Sequence, residues 1–149
     1  MKRFTIRIYG ILIQNGATLV TDEFIHGRHI TKFPGGGLEF GESPIDCLKR
    51  EFVEEMNLEV EIRSHFYTTD FFVASAFDEH CQVMSIYYLA ETKNKITVPI
   101  SEKPHDYKLE NNAQAFRWIP LNSISANDFT FVIDKKVGEM LASRTSATI

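Results

Sequence analysis

Three glutamates, Glu51, Glu54 and Glu55, stand three and four residues apart, directly after an arginine, Arg50. On an α-helix that spacing gathers them on one stripe, about 100° wide. Like charges so placed destabilise a helix by a few tenths of a kcal/mol each. A purely structural helix gains nothing from them, so something positive is expected against the stripe. Carboxylate oxygens suit hard cations such as Mg²⁺ or Mn²⁺, which commonly bridge protein carboxylates to substrate phosphates. Arg50 is placed to orient Glu51 by a bidentate bond. Upstream lies a glycine run, Gly35-Gly36-Gly37. Glycines let the backbone approach a ligand closely and present carbonyls or amides to it. Alone, the glutamates read as a solvated acidic face and the glycines as a tight turn. At one fixed spacing they point to a ligand site.

These residues need a helix to hold them. Ser43 is a preferred N-cap and Pro44 suits the first helical position. Asp46, three residues after Ser43, resembles a capping box. The helix is predicted over 44–56, ending at Asn57, which tolerates the left-handed conformation. Ile45, Leu48, Phe52 and Met56 fall within about 80° on its wheel, a core-facing stripe. Around it, strands are predicted over 3–14, 17–22, 58–67, 82–91 and 115–119, the last closed by Pro120. Asn15-Gly16 is a hairpin turn between the first two. Residues 26–32 read as a loop or short edge strand, and 33–37 as a segment no regular element tolerates well. Residues 99–112 read as a polar loop and 128–143 as a C-terminal helix. The mixture predicts a sheet with helices packed on it.

The chain has 149 residues, which is one domain's worth, with 44% hydrophobic and 24% charged residues. That composition argues against a disordered, collagenous or coiled-coil chain. No apolar run approaches the about 20 residues of a membrane helix. The N-terminal stretch begins basic and apolar, but it alternates like a strand and has no small-residue cleavage site, so it is not read as a signal peptide. Cys47 and Cys81 are too few for a disulfide framework, and the cytoplasm is the expected compartment. The net charge of −4 disfavours nucleic-acid binding through a broad basic surface. The acid excess is local. Residues 42–61 hold seven acids and two bases; elsewhere thirteen acids meet fourteen bases.

The spacing runs Gly36, five residues, Glu42, seven residues, Arg50-Glu51, two residues, Glu54-Glu55. It resembles the signature box of the Nudix hydrolases, the MutT-like family. The box spans Gly36 to Leu58 and is preceded, as in that family, by Phe33-Pro34. Weaker similarity extends to the early strand pair and to Arg117-Trp118-Ile119-Pro120-Leu121. The chain departs from the box at Asn57, where glycine is usual, and at Phe52, where smaller aliphatics are usual. No metal or catalytic position of the box is lost.

The resemblance implies an α/β fold, a Nudix-type α/β/α sandwich around a mixed β-sheet, over a single domain of residues 1–149. It implies metal-dependent hydrolysis of the pyrophosphate bond of a nucleoside diphosphate linked to some group X. By position, Glu51, Glu54, Glu55 and the Gly35 carbonyl would hold Mg²⁺ or Mn²⁺. Gly36 and Glu42 would shape the box, and Arg50 would orient Glu51. The general base would be Glu54 or Glu51 inside the box, or Glu110 in the loop before Trp118. Arg28 and Lys32 are phosphate-binding candidates that read equally as solvent-facing, as do His26 and His29 as substrate contacts. Phe24, Phe71, Phe72 and Phe131 are candidates for base stacking, although most of the twelve phenylalanines must be core. Ala126-Asn127-Asp128-Phe129 looks like the helix start where some members read the base.

The ADP-ribose subgroup usually carries a proline soon after the box, where this chain has Val73, Ala74 and Ser75. The dinucleoside-polyphosphate subgroup tends to carry a tyrosine there, and none lies between Phe71 and Asp78. The expected partner is a small-molecule nucleotide, with no nucleic acid and no membrane. The family often forms homodimers, and the aromatic content is compatible with one. Two other classes compete: a non-catalytic nucleotide-sensing or protein-binding Nudix domain, which would commonly have lost box glutamates, and a structural protein whose acidic helix is only solvated surface.

Overall fold

Strand β1, Arg3–Gln14, runs through both of the units into which the chain divides. The first unit comprises Met1–Leu12 with Pro34–Thr97, the second Ile13–Phe33 with the chain from Val98 onward. The computed structural model describes residues 1–147. Among them no helix is long and apolar enough to cross a membrane.

In the first unit β1 lies parallel to a late strand, Cys81–Glu91, from Arg3 opposite Cys81 to Leu12 opposite Ala90. On that strand's other side runs Glu61–Thr68, antiparallel. The helix α1, Pro44–Met56, begins as expected: the Ser43 hydroxyl accepts the Asp46 amide at 3.1 Å. It ends at Asn57, with φ 50° and ψ 41°, the left-handed cap. Leu48, Phe52 and Met56 are buried, as the wheel predicts. Ile45 is 42% exposed instead, and Cys47 is buried in its place. A Cβ at Gly10 would meet the Phe52 ring at 2.6 Å, so a glycine in β1 is what lets α1 pack this closely.

The glycine run departs from expectation. Gly35–Gly37 is a short strand, antiparallel to β1, with Gly35, Gly36 and Gly37 opposite Tyr9, Ile8 and Arg7. Gly35 has φ +148°, and a Cβ there would lie 2.0 Å from the Ile8 carbonyl oxygen. Only glycine brings the two backbones so close.

In the second unit the strand Ala17–Ile25 pairs with Ala113–Pro120 and, in a hairpin, with Arg28–Lys32. In chain order the strands are therefore β2 (17–25), β3 (28–32), β4 (35–37), β5 (61–68), β6 (81–91), β7 (Ile100–Ser101) and β8 (113–120). Both hairpin turns have two residues of positive φ: Asn15 and Gly16 at 51° and 74°, His26 and Gly27 at 50° and 73°. That is the turn whose twist suits adjacent strands. The loop-or-edge-strand expectation for 26–32 resolves into this turn and β3. The polar loop over 99–112 contains β7, parallel to β8.

The C-terminal helix also starts later than expected. Residues Ala126–Asp128 form a 3-10 turn, closed by reciprocal bonds between Ser125 and Asp128, and α2 runs Val132–Ala147. Phe129 breaks the run by turning extended and stacking on Phe33, centroids 4.6 Å apart. Thr130 ties to Thr31 by two bonds, of 2.8 and 3.2 Å. Tertiary packing of these two residues outweighs local helix propensity.

Candidate active site

The first unit gathers the box around Arg50. Its Nε donates to Glu42 Oε2 at 3.0 Å and its Nη2 to Glu42 Oε1 at 2.7 Å. Nη1 reaches Glu51 Oε1 at 3.1 Å and both Glu54 oxygens at 3.3 and 3.2 Å. Nη2 also donates to the Gly37 carbonyl at 3.1 Å. The bidentate bond expected toward Glu51 thus goes to Glu42. Adjacent residues on a helix diverge by about 100°, so Arg50 meets its neighbour only edge-on, while the loop brings Glu42 face to face.

Glu42 accepts the Glu39 amide as well, at 2.9 Å. The Arg50 hydrogen bonds, then that amide, bring its carboxyl from an ordinary 4.5 down to about 2. The bonds to Glu42 first, and those to Glu54 and Glu51 after it, push the Arg50 guanidinium further up. Behind them the Cys47 thiol donates to the Gly37 carbonyl at 3.5 Å. Burial first, and the Glu42 carboxylate second, raise it to about 12, so it is an inert packed thiol.

The Glu51 carboxylate fills a gap left by Gly36. A Cβ at 36 would stand 2.3 to 2.6 Å from its three carboxylate atoms. Glu54 is 57% exposed, whereas Glu51 is largely covered. Glu55 is half-buried, with its Oε2 out of reach of solvent. Among the described residues no three His, Cys, Asp or Glu side chains converge as a ready metal cluster. The donor set is nevertheless all oxygen, on adjacent turns of one helix, with the room that Gly36 leaves. Those features fit a hard divalent cation.

Phe71 and Phe72 also belong to this unit and are exposed, Phe72 the more so. The other candidates belong to the second unit. Arg28 and Glu110 are exposed, and Phe131 is half-buried. Lys32 is buried and its Nζ lies 3.2 Å from Glu23 Oε2. Phe24 packs on His29, centroids 4.9 Å apart. His26 is exposed at the hairpin turn.

Sequence reasoning missed a second polar centre in that unit. Asp22, fully buried, accepts from Arg117 Nε at 2.6 Å and Nη2 at 3.2 Å, from Thr31 Oγ1 at 2.6 Å and from the His105 amide at 3.2 Å. Beside it the Tyr107 hydroxyl lies 2.8 Å from His29 Nδ1 and 3.2 Å from His105 Nδ1. Burial lowers the His105 pKa. Asp22 carried one visible signal, a charged residue at an inward position of a strand. Its partners come from three distant segments.

A family profile described as NUDIX domain matches residues 1–139. The chain therefore belongs to the Nudix hydrolase family, a family of pyrophosphohydrolases whose members typically depend on a divalent metal ion. Its mixed β-sheet and two helices are the fold that the box implies. Solved structures of the MutT protein from Methanosarcina mazei Go1 and of a NUDIX hydrolase from Nitrosomonas europaea are similar, with TM-scores of 0.71 and 0.69 at 15% and 16% identity. Those matches cover 97% and 95% of this chain and 96% and 89% of theirs. An ADP-ribose pyrophosphatase from Streptococcus suis is similar at a TM-score of 0.57 and 18% identity, over 97% of this chain and 91% of that one. No curated protein matches the sequence.

Proposed function

We propose that this chain, acting as one domain over 1–149, hydrolyses the pyrophosphate bond of a nucleoside diphosphate linked to a second group. One observation carries the reading: Arg50 joins Glu42, Glu51 and Glu54 in one hydrogen-bonded set, with the Glu51 carboxylate seated where only glycine at 36 leaves space. In this reading Glu51, Glu54, Glu55 and the Gly35 carbonyl hold Mg²⁺ or Mn²⁺, while Gly36 and Glu42 shape the box. The bound ion would neutralise diphosphate charge and acidify a water ligand.

The chain's own groups do the rest. Arg50 keeps Glu51 and Glu54 from turning outward, so the carboxylates are oriented before substrate arrives. Glu54, the most exposed of the three, accepts the proton of the attacking water at a carboxylate oxygen; Glu51 and Glu110 are the alternatives. As the new P–O bond forms, the bond to the leaving phosphate oxygen breaks. Base stacking falls to exposed Phe72 or half-buried Phe131, and phosphate contact to exposed Arg28 rather than to Lys32, which is buried against Glu23. The substrate is a small nucleotide rather than nucleic acid, in keeping with the net charge of −4. Two free, buried cysteines accord with a cytoplasmic setting. Exposed Phe4, Phe40 and Phe72 accord with a homodimer.

The test is a panel of nucleoside triphosphates, ADP-ribose, UDP-glucose and dinucleoside polyphosphates, with and without Mg²⁺, for wild type and Glu54→Gln. Metal-dependent turnover of at least one compound, lost in the variant, supports the reading. No turnover of any compound by a metal-binding wild type overturns it.

A further inference from the structure

The segment 102–112 is tied along the β2–β3 hairpin as a strap. Its ends are fixed by backbone: Ile100 and Ser101 pair with β8, and the Asn112 amide donates to the Phe24 carbonyl at 2.8 Å. Between them the His105 amide donates to Asp22 Oδ2 at 3.2 Å, and Asn111 Oδ1 accepts the His26 amide at 3.3 Å. His105 has φ 53°, a left-handed conformation that a residue other than glycine keeps only where its surroundings hold it. The side-chain tie is Tyr107. Its hydroxyl lies between two imidazoles, 2.8 Å from His29 Nδ1 on β3 and 3.2 Å from His105 Nδ1.

That arrangement orders the protons. A hydroxyl has one hydrogen, so Tyr107 donates to one Nδ1 and accepts from the other. His105 Nδ1 also faces Asp22, 3.9 Å from Oδ1, an oxygen that already accepts from Arg117 and Thr31. His105 therefore carries its hydrogen on Nδ1 and donates to Tyr107, which donates to His29 Nδ1. Neutral His29 then holds its own hydrogen on Nε2. A second proton on His29 has only Nδ1 to go to, the atom that Tyr107 needs as an acceptor. The imidazolium would set its N–H against the tyrosine O–H, with the His105 ring 5.0 Å away between centroids.

The surrounding charges divide. Asp22 of β2 draws a proton toward His105, while His29 and Arg117 of β8 repel one, and burial outweighs them all in favour of the neutral form. Glu23 of β2 is occupied by Lys32 of β3 at 3.2 Å, and Asp106 of the strap by Lys103 at 3.8 Å. Arg28 of β3 is exposed, as are Glu102, Lys108 and Glu110 of the strap.

We propose that residues 102–112 are a pH-sensitive strap, closed on the β2–β3 hairpin while His29 and His105 are neutral and released when they take up protons. The folded-state pKa of His105 lies below the ordinary 6.5, so its contribution to closure is complete above 6.5 and fades as the pH falls through the lowered value. The strap carries Glu110, one of the alternative bases, yet its release involves no catalysis and does not depend on the pyrophosphohydrolase reading.

Amide hydrogen exchange followed by mass spectrometry on the full chain reads closure of the strap. Wild type, His29→Asn and Tyr107→Phe are compared at about pH 8 and about pH 5, the interval over which imidazoles titrate, with rates corrected for the intrinsic pH dependence of exchange. In wild type, protection over 102–112 is expected to fall about tenfold or more at the acid end, the effect of one unit of pKa difference, while β1 and β8 keep theirs. His29→Asn puts an oxygen on Cγ in place of Nδ1, an acceptor that takes up no proton, so most of the acid response should vanish. Tyr107→Phe removes the shared hydroxyl and should lower protection at both pH values. Equal corrected protection in wild type at the two pH values overturns the proposal. So does an acid loss that persists in full in His29→Asn, which moves the effect to the carboxylates, and so does a loss spread evenly over every strand, which is global acid unfolding. Tyr107→Phe protected as well as wild type at about pH 8 overturns it too.

Discussion

Arg50 grips Glu42, eight residues earlier in the chain, by two parallel bonds of 3.0 and 2.7 Å, and this pair fixes the loop before α1 to the middle of the helix. Its remaining donor, Nη1, is what Glu51 and Glu54 share. One guanidinium therefore spaces three carboxylates that would otherwise repel.

Arg50→Lys keeps the charge and loses the fork. One ammonium cannot bond Glu42, Glu51, Glu54 and the Gly37 carbonyl together. The expected outcome is a fall in kcat of about tenfold to a hundredfold, the size of one or two charge-assisted bonds. Steady-state kinetics on any substrate that the wild type turns over measures it, and circular dichroism checks that the fold is kept.

The Glu42 pair predicts an acid-side loss of stability. The folded-state pKa of about 2 lies below the ordinary 4.5, so ionised Glu42 favours the folded chain. Its contribution is complete above 4.5 and disappears as pH falls toward 2. Denaturant midpoints of wild type and Glu42→Gln should therefore differ at neutral pH and converge across that window. A gap that persists at the acid end would assign the effect to packing instead.

Gly36→Ala drives a methyl group into the Glu51 carboxylate, 2.3 Å from Oε1. Glu51 must swing away. Saturating Mg²⁺ should raise the wild-type melting temperature by linkage, by a few degrees for about 2.7 kcal/mol at a hundred times Kd. In Gly36→Ala that rise should shrink to nearly nothing. A melting scan with and without metal decides it.

Asn57→Ala should destabilise by about 1 kcal/mol, since the residue sits at φ 50° and alanine lacks asparagine's tolerance of that region. Asn57→Gly should be neutral or mildly stabilising. Urea unfolding of the three proteins measures both.

Asp22→Ala strands Arg117 against a buried acceptor site now gone. Removing one partner of such a pair costs about 3–5 kcal/mol. The expected result is a large drop in the unfolding midpoint, and a drop no larger than that of a surface substitution would refute the structural role given to this centre.

Much of the first unit's chemistry was legible in the chain order alone. A helix places residues three and four apart on one side whatever surrounds it, so the stripe of Glu51, Glu54 and Glu55 and the caps at Ser43 and Asn57 follow from local rules. Hairpin turns are local too, and Asn15-Gly16 stood out; His26-Gly27 did not, because it is not one of the Asn-Gly, Asp-Gly or Gly-Gly pairs that mark a two-residue turn.

What local rules cannot supply is the partner across space. The glycine run became a strand only because β1 offered it a ladder, and the C-terminal helix started late because Phe129 found Phe33. Arg50 chose Glu42 over its neighbour Glu51 once the loop folded back. Asp22 met Arg117, and Arg7 met Gly37, across separations that no periodicity encodes. The sequence by itself determined the acidic helix face and its family. The tertiary structure alone decided which cation stands beside which carboxylate, because strand register and loop closure set distances that spacing along the chain leaves open.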